Sequence, residues 1–73
     1  MNGMRYAVVI EKGPSSFGAH VPDLPGVIAV GETREEALRL IQEAIELHLQ
    51  SLLEYGEEIQ PPSSSIEYVN VAA

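Results

Sequence analysis

The sequence TREEALRLIQEAIELHLQSLLEYG occupies residues 33–56 and contains the strongest secondary-structure signal in the chain. Thr33, followed three residues later by Glu36, forms a capping-box pattern: the hydroxyl can accept from the N–H of Glu36, whose carboxylate can reach back to the N–H of Thr33. No Gly or Pro interrupts the stretch before Gly56, which suits the position just after a helix. The pattern predicts one helix from about Thr33 to Tyr55, nearly twice the mean length in globular proteins.

The apolar side chains of this helix cover more of its circumference than one sheet can bury. Their arc spans roughly 200°, against the ~100° that packing on a single sheet needs. The main stripe consists of Ala37, Leu38, Ile41, Ile45, Leu49 and Leu52, widened on one flank by Leu40, Ala44 and Leu47. The excess predicts that a second surface is covered, by self-association into a dimer or tetramer or by a partner. The expected oligomer contacts are Leu40, Ala44, Leu47 and His48.

Alternating apolar residues predict three strands before the helix and one after it. These strands lie at residues 5–11, 17–21, 27–30 and 66–71. The first is apolar on both faces, which favours a central position. With the last strand parallel to the first and a right-handed crossover, the order β-β-β-α-β predicts an α+β fold. The expected small mixed sheet has the strand order 3-2-1-4, with the long helix packed on one face.

The clearest turn signal is Pro-Asp-Leu-Pro-Gly at residues 22–26. Its two prolines withhold N–H donors, so ladder pairing stops there. Gly26 allows the positive φ of a tight reversal. Asp23, held between the prolines, is interpreted as a turn residue in preference to a catalyst. The expected contacts with a partner protein lie at this turn and just before it: His20, Asp23, Leu24 and Pro25.

Length and composition restrict the possible classes of function. Seventy-three residues make one domain, residues 1–73, with no room for a second. Eleven acidic residues against four basic ones give a net charge of −7, the opposite of the basic footprint of nucleic-acid binders. We expect no direct nucleic-acid binding, and the charge fits either a basic protein partner or simple solubility. Without a signal-peptide pattern or an apolar run that could span a bilayer, a cytoplasmic protein is expected.

The sequence contains no residue pattern typical of an active site. It has no cysteine, no Gly-rich phosphate loop and no nucleophile elbow. His20 and His48 are two histidines without thiols, which cannot complete a closed structural zinc site by themselves. Most carboxylates fall on the exposed back of the helix or in the Glu57-Glu58 turn, whereas acid–base catalysis needs them in a dry cleft. We expect no enzyme activity, no cofactor and no metal.

Several of these motifs together resemble the HicB family, the antitoxin half of bacterial HicA–HicB toxin–antitoxin pairs. They are Met4-Arg5-Tyr6, Pro22-Asp23-Leu24-Pro25-Gly26, Gly31-Glu32-Thr33, Glu35-Glu36-Ala37 and Ile59-Gln60-Pro61-Pro62. The resemblance covers nearly the whole chain and implies a partial RNase H-like fold with the same β-β-β-α-β order. It also implies a function, which is to bind a small basic RNA-cleaving toxin of the HicA type and mask its active site.

The chain departs from the family pattern in two places, and other functions stay open. Many HicB antitoxins continue into a helix-turn-helix or ribbon-helix-helix segment; this sequence ends at Ala73, so no C-terminal DNA-binding domain is expected. Val27 stands where relatives often have Cys. One alternative is an orphan homo-oligomeric interaction or regulatory module of the same fold with no toxin partner. An enzyme derived from RNase H is least favoured, because no carboxylate cluster for two-metal catalysis is recognisable.

Overall fold

The computed structural model describes residues 3–72 and contains a three-stranded antiparallel sheet followed by one long helix. The elements are β1 (Val9–Lys12), β2 (Phe17–His20), β3 (Ile28–Gly31) and α1 (Arg34–Glu54). The strand order is β1-β2-β3, so β2 lies in the middle. The predicted α+β class, the three-strand meander and the long helix are confirmed.

The first turn of α1 is closed by side chains that the capping-box pattern predicts. The N–H of Glu36 donates to Thr33 Oγ1 at 3.0 Å. The Glu36 carboxylate accepts from the backbone N–H of Glu32 at 2.7 Å, one residue earlier than predicted. Glu35 and Glu36 also place negative charge at the positive end of the helix dipole. The start of the helix is therefore determined locally.

The other end of α1 is closed by Gly56, which has a φ of +70°. Its N–H donates to the carbonyl of Leu53 at 3.1 Å, and the N–H of Glu57 donates to the carbonyl of Leu52 at 2.8 Å. This pair of bonds is the Schellman motif, which needs a left-handed residue just past the helix. A side chain at this position would be strained, so glycine ends the helix here.

The helix packs on one face of the sheet, over β2 and β3, because small residues there let the backbones approach. A Cβ on Gly31 would lie 2.6 Å from the backbone N of Ala37, which shows how closely the first helical turn sits on β3. Ala19 of β2 is buried beneath Ala37 and Ile41 of the helix. The rest of the buried core comes from the turn at residues 22–26 and the residues on either side of it: Val21, Leu24 and Val27.

The predicted fourth strand is not formed within residues 3–72. Ile66 and Tyr68 line a cavity together with Val8, Val9 and Ile10, so the C-terminal segment does run beside β1. No strand is present there, and Tyr68 is 94% exposed. With nothing covering its outer face, the segment buries too little apolar surface to offset the cost of ordering a paired strand. The predicted mixed sheet and the order 3-2-1-4 are therefore wrong.

The first strand also differs from its prediction, because it begins at Val9 and lies at a sheet edge. Its register starts with Val9 opposite His20. Residues 5–8 have no strand partner, since β2 ends at His20 and Pro22 follows. The apolar character of both faces of this strand therefore did not signal a central position.

Candidate partner-binding surfaces

Asp23 connects the turn between β2 and β3 to the C-terminal segment. Its Oδ2 accepts from the backbone N–H groups of Ser63 and Ser64 at 3.0 and 2.9 Å. Its Oδ1 accepts from the two serine hydroxyls at 3.1 and 2.7 Å. Hydrogen bonds to a carboxylate favour its charged form; the N–H and hydroxyl of Ser64, followed by the N–H of Ser63, lower the pKa of Asp23 to about 2. Asp23 therefore holds the C-terminal segment in place.

Two consecutive β-turns present Asp23 to that segment. The N–H of Leu24 donates to the carbonyl of Val21 at 3.0 Å, and the N–H of Val27 donates to the carbonyl of Leu24 at 3.1 Å. Gly26 is the third residue of the second turn and has a φ of +88°, as a type II turn requires. The Pro-Asp-Leu-Pro-Gly sequence thus determines the shape of the loop, and the loop positions the carboxylate.

The four predicted partner contacts occupy different environments. Pro25 is exposed, and His20 is half-buried with its Nδ1 3.8 Å from Glu11 Oε1. Leu24 is 6% exposed and belongs to the core, while the Asp23 carboxylate is occupied by serine donors. Partner binding at this turn stays a prediction. In the free chain, His20 and Pro25 are accessible to a partner, whereas Asp23 and Leu24 stabilise the loop.

The face of the sheet opposite α1 is apolar along β3. Ala19 is buried under the helix, so its neighbours on β2 point to the other face. The register places His20 opposite Ile28 and Gly18 opposite Val30 on this open face. Ile28 and Val30 are 67% and 62% exposed. Two large apolar side chains are therefore open to solvent on an edge strand.

The predicted oligomer contacts form a strip along one side of α1. Leu47 is 67% exposed, Leu40 and His48 are half-buried, and Ala44 packs against the edge of the core. Spacings of four and three residues from Leu40 through Ala44 to Leu47 keep these side chains on one side of the helix. We name Leu40, Ala44 and Leu47 the helix flank. The exposed Leu47 leaves part of the excess apolar arc uncovered within a single chain.

The other side of α1 faces the N-terminal segment, residues 4–8, across an open groove of about 780 Å³. The apolar lining comes from both walls: Met4, Tyr6, Val8, Leu38, Ile41, Ile45 and Leu49. Arg5 and Arg39 also line it. The Tyr6 hydroxyl donates to the backbone carbonyl of Gln60 at 3.1 Å, which ties the N-terminal segment to the C-terminal one. The helix flank lies on the other side of α1 from this groove.

Sequence reasoning missed the partners of Asp23 and Tyr6. Ser63 and Ser64 stand in a Ser-rich stretch that carries the composition of a linker, and they meet Asp23 across 40 and 41 positions. The one signal in the sequence was the Asp23 carboxylate, which lies between Pro22 and Pro25.

Within residues 3–72, no group of three or more His, Cys, Asp or Glu residues is placed to hold a metal ion. In that same part of the chain, no helix has the length and apolar character needed to cross a membrane.

The fold and surfaces define a small acidic α+β domain that leaves apolar surface open on its sheet and on its helix. Residues 6–72 match the family described as the HicB_like antitoxin of bacterial toxin–antitoxin systems. The chain belongs to this family, as its motifs predicted.

Relatives and a solved structure agree with this assignment. A 14.9 kDa protein of Haemophilus phage HP1 is 41% identical over 68 residues, covering 92% of this chain and 50% of that protein. Antitoxin HicB 2 of Photorhabdus laumondii is 37% identical over 71 residues, covering 96% of this chain and 51% of the antitoxin. This chain thus spans about half the length of both relatives. The N-terminal domain of Burkholderia pseudomallei antitoxin HicB superposes with a TM-score of 0.73 at 37% identity, over 80% of this chain and 69% of that one.

Proposed function

We propose that this protein is an antitoxin that binds a small basic RNA-cleaving toxin of the HicA type and covers its active site. Membership of the HicB-like family supports the antitoxin role. The observation that supports a basic partner is the net charge of −7. Because the RNA substrate of such a toxin is cytoplasmic, the protein acts in the cytoplasm.

The acidic residues are concentrated on the solvent side of α1 and just beyond its end. They are Glu35, Glu36, Glu43, Glu46, Glu54, Glu57 and Glu58. One of them, Glu43, is paired with Arg39 at 3.0 Å; the pair is exposed, and exposed pairs contribute little energy. A carboxylate row of this kind competes with RNA phosphates for the cations of a toxin and accelerates encounter with it. We assign the turn beside His20 and Pro25 to the contact that excludes RNA, with Asp23 and Leu24 holding the turn rigid.

The direct test is co-expression with the small basic protein encoded next to this chain. The expected result is co-elution of the two proteins and loss of RNA cleavage by the toxin. Exchanging Glu43 and Glu46 for Lys should weaken this inhibition. The control exchanges Glu32 and Glu67 for Lys, two exposed carboxylates outside this set, which changes the net charge equally at a different place. Separate elution together with undiminished RNA cleavage would contradict the antitoxin role.

A homo-oligomeric interaction or regulatory module without a toxin is the second candidate, favoured by the exposed helix flank. It predicts a stable oligomer and no complex in the co-expression test. Neither function needs catalysis, so the purified chain should leave RNA intact in Mg²⁺ or Mn²⁺. Cleavage abolished by substitution of its carboxylates would instead support an enzyme.

A further inference from the structure

We infer that the outer edge of β1 binds an extended acidic segment of a partner protein. The backbone of that segment lies along residues 5–12, between β1 and residues 66–68 of the C-terminal segment. Its apolar side chains enter two cavities along this edge. Carboxylates at one of its ends meet Arg5, and carboxylates at the other end meet Lys12 and Arg34. This site is separate from the turn and the acidic surface assigned to a basic toxin, and it does not depend on a toxin.

Two cavities separate the C-terminal segment from the edge of β1. The first has a volume of about 490 Å³ and lies between residues 5–7 and residues 64–66. The second has a volume of about 410 Å³ and lies between residues 8–10 on one side and Ile66 and Tyr68 on the other. Because Ile66 lines both, the cavities adjoin. Each is within the size range of about 300–1,000 Å³ that is usual for ligand sites.

The backbone of β1 has an unpaired outer side. β1 is an outer strand of the sheet, and within residues 3–72 no backbone hydrogen bond joins the C-terminal segment to residues 4–12. The Tyr6 hydroxyl, which donates to the carbonyl of Gln60, makes the contact between the two segments through a side chain instead. The outward N–H and C=O groups of β1 are therefore open to an added strand, which is how extended peptides bind the edges of sheets.

The C-terminal segment can move aside at residues 66–68 for such a strand. Ile66 is 42% exposed and Tyr68 is 94% exposed, so moving them sacrifices little buried surface. The hydrogen bonds from Ser64 to Asp23 come before these residues. The segment therefore stays attached to the domain while the edge of β1 opens.

The charge along this edge is opposite to that of the whole chain. Of the four basic residues in the sequence, three line the two cavities, namely Arg5, Lys12 and Arg34. None of the eleven acidic residues lines either cavity. Within residues 3–72, none of these three cations forms an ion pair. In a chain with a net charge of −7, this group of unpaired cations predicts an anionic occupant.

Arg34 lies where a cation does not stabilise the helix. It is the first residue of α1, at the positive end of the helix dipole, where positive charge is unfavourable. Its side chain lines the second cavity. The position of Arg34 is therefore explained by binding of an anion and not by the stability of the helix.

A protein segment suits this edge better than a nucleic acid does. The middle of the edge is apolar, since Val8, Val9 and Ile10 line the second cavity, and these side chains offer nothing to phosphates. The distance from Arg5 to Lys12 along an extended chain is roughly 23 Å, which about seven residues of a partner strand cover. The acidic surface of the rest of the chain repels a long polyanion, whereas a short segment meets the cations locally.

The test is an NMR titration of the full chain with two synthetic peptides. Both have the same alternating Val and Thr residues in the middle, and they differ in having Glu or Lys at both ends. The acidic peptide should shift the amide signals of residues 5–12 most strongly and slow the exchange of the outward β1 amides. The basic peptide should leave these signals unchanged.

Arg34 and Arg39 provide a matched pair of variants. Both are exposed arginines of α1, but Arg39 is paired with Glu43 at 3.0 Å and lines the groove on the other side of Tyr6. Arg34→Gln should weaken binding of the acidic peptide about fivefold, whereas Arg39→Gln should leave it unchanged. Circular dichroism verifies that both variants fold.

Several results would overturn the proposal. Unchanged amide signals of residues 5–12 with the acidic peptide would exclude the site, and equal weakening by Arg34→Gln and Arg39→Gln would exclude the role of the cavity cations. Shifted signals without slower exchange of the β1 amides would exclude strand addition. A short thymidine oligomer of the same charge that binds this edge more tightly than the peptide would replace the protein segment by a nucleic acid.

Discussion

The Asp23 carboxylate accepts a hydrogen bond from the backbone N–H of Ser64 at 2.9 Å, across 41 positions of the sequence. The Ser64 hydroxyl donates to the other oxygen of the same carboxylate at 2.7 Å. This contact joins a loop rigidified by two prolines to a segment without helix or strand. Charge-assisted hydrogen bonds of this kind are roughly twice as strong as neutral ones. Tyr6 makes a separate hydrogen bond to Gln60, but the position of Ser63 and Ser64 depends on this one carboxylate.

Replacing the Asp23 carboxylate with an amide should release the C-terminal segment. Asp23→Asn removes the negative charge and half of the acceptors, so we expect limited proteolysis within residues 57–72 to become several-fold faster. The serines provide a matched pair, since Ser64 donates to Asp23 and Ser65 does not. Ser64→Ala should accelerate cleavage and Ser65→Ala should not. Equal rates in both serine variants would contradict the role assigned to this contact.

Acid should release the same segment without any substitution. The pKa of Asp23 is lowered from its ordinary 3.8 to about 2, so its charged form favours the folded state. Its contribution to stability is complete above about pH 4, declines as the pH falls towards 2, and is absent below. In an NMR titration, the Asp23 carboxyl carbon and the Ser64 amide should share a midpoint near 2. A midpoint near 3.8 would show that the serine donors do not hold the carboxylate in solution.

Adding one methyl group to β3 should destabilise the domain. In Gly31→Ala, the new Cβ would meet the backbone of Ala37 at 2.6 Å, and helical backbone cannot move aside without losing its packing. We expect a loss of about 1–3 kcal/mol in the free energy of unfolding, typical of overpacking. Gly18→Ala is the control, because its Cβ would find its nearest neighbour at 4.0 Å. Urea unfolding should place that variant within about 0.5 kcal/mol of the unchanged chain.

Ionic strength should separate the two proposed associations. Copies of a chain with net charge −7 repel each other, so salt should strengthen the homo-oligomer. A complex with a basic toxin gains from opposite charges, so salt should weaken it. Measuring both dissociation constants between low and physiological salt checks these opposite signs. A homo-oligomer that weakens with added salt would point to interfacial ion pairs and away from the uncharged helix flank.

Local signals in the sequence accounted for α1 and for the turn at residues 22–26. Thr33 and Gly56 specify the ends of the helix because their hydrogen-bonding partners lie within five positions of them. The two-residue alternation also located three strands correctly to within a few positions. The same alternation failed at residues 66–71, since a strand needs a partner edge and a covered face as well as a pattern.

By itself, the sequence determined the helix, the turns and the net negative charge. The helix and the turns depend on neighbours along the chain, and the charge depends on composition alone. Tertiary structure decided that β1 is an edge strand, that Leu24 is buried and that Asp23 binds Ser63 and Ser64. It also decided which parts of the broad apolar arc of α1 stay open, namely Leu47 on the helix flank and the groove opposite residues 4–8. These outcomes depend on which distant segments meet, and each such contact must repay the entropy of closing a long loop. No short-range pattern in the sequence shows which distant contacts repay this entropy. The hydrogen bonds of caps and turns, in contrast, form between residues a few positions apart.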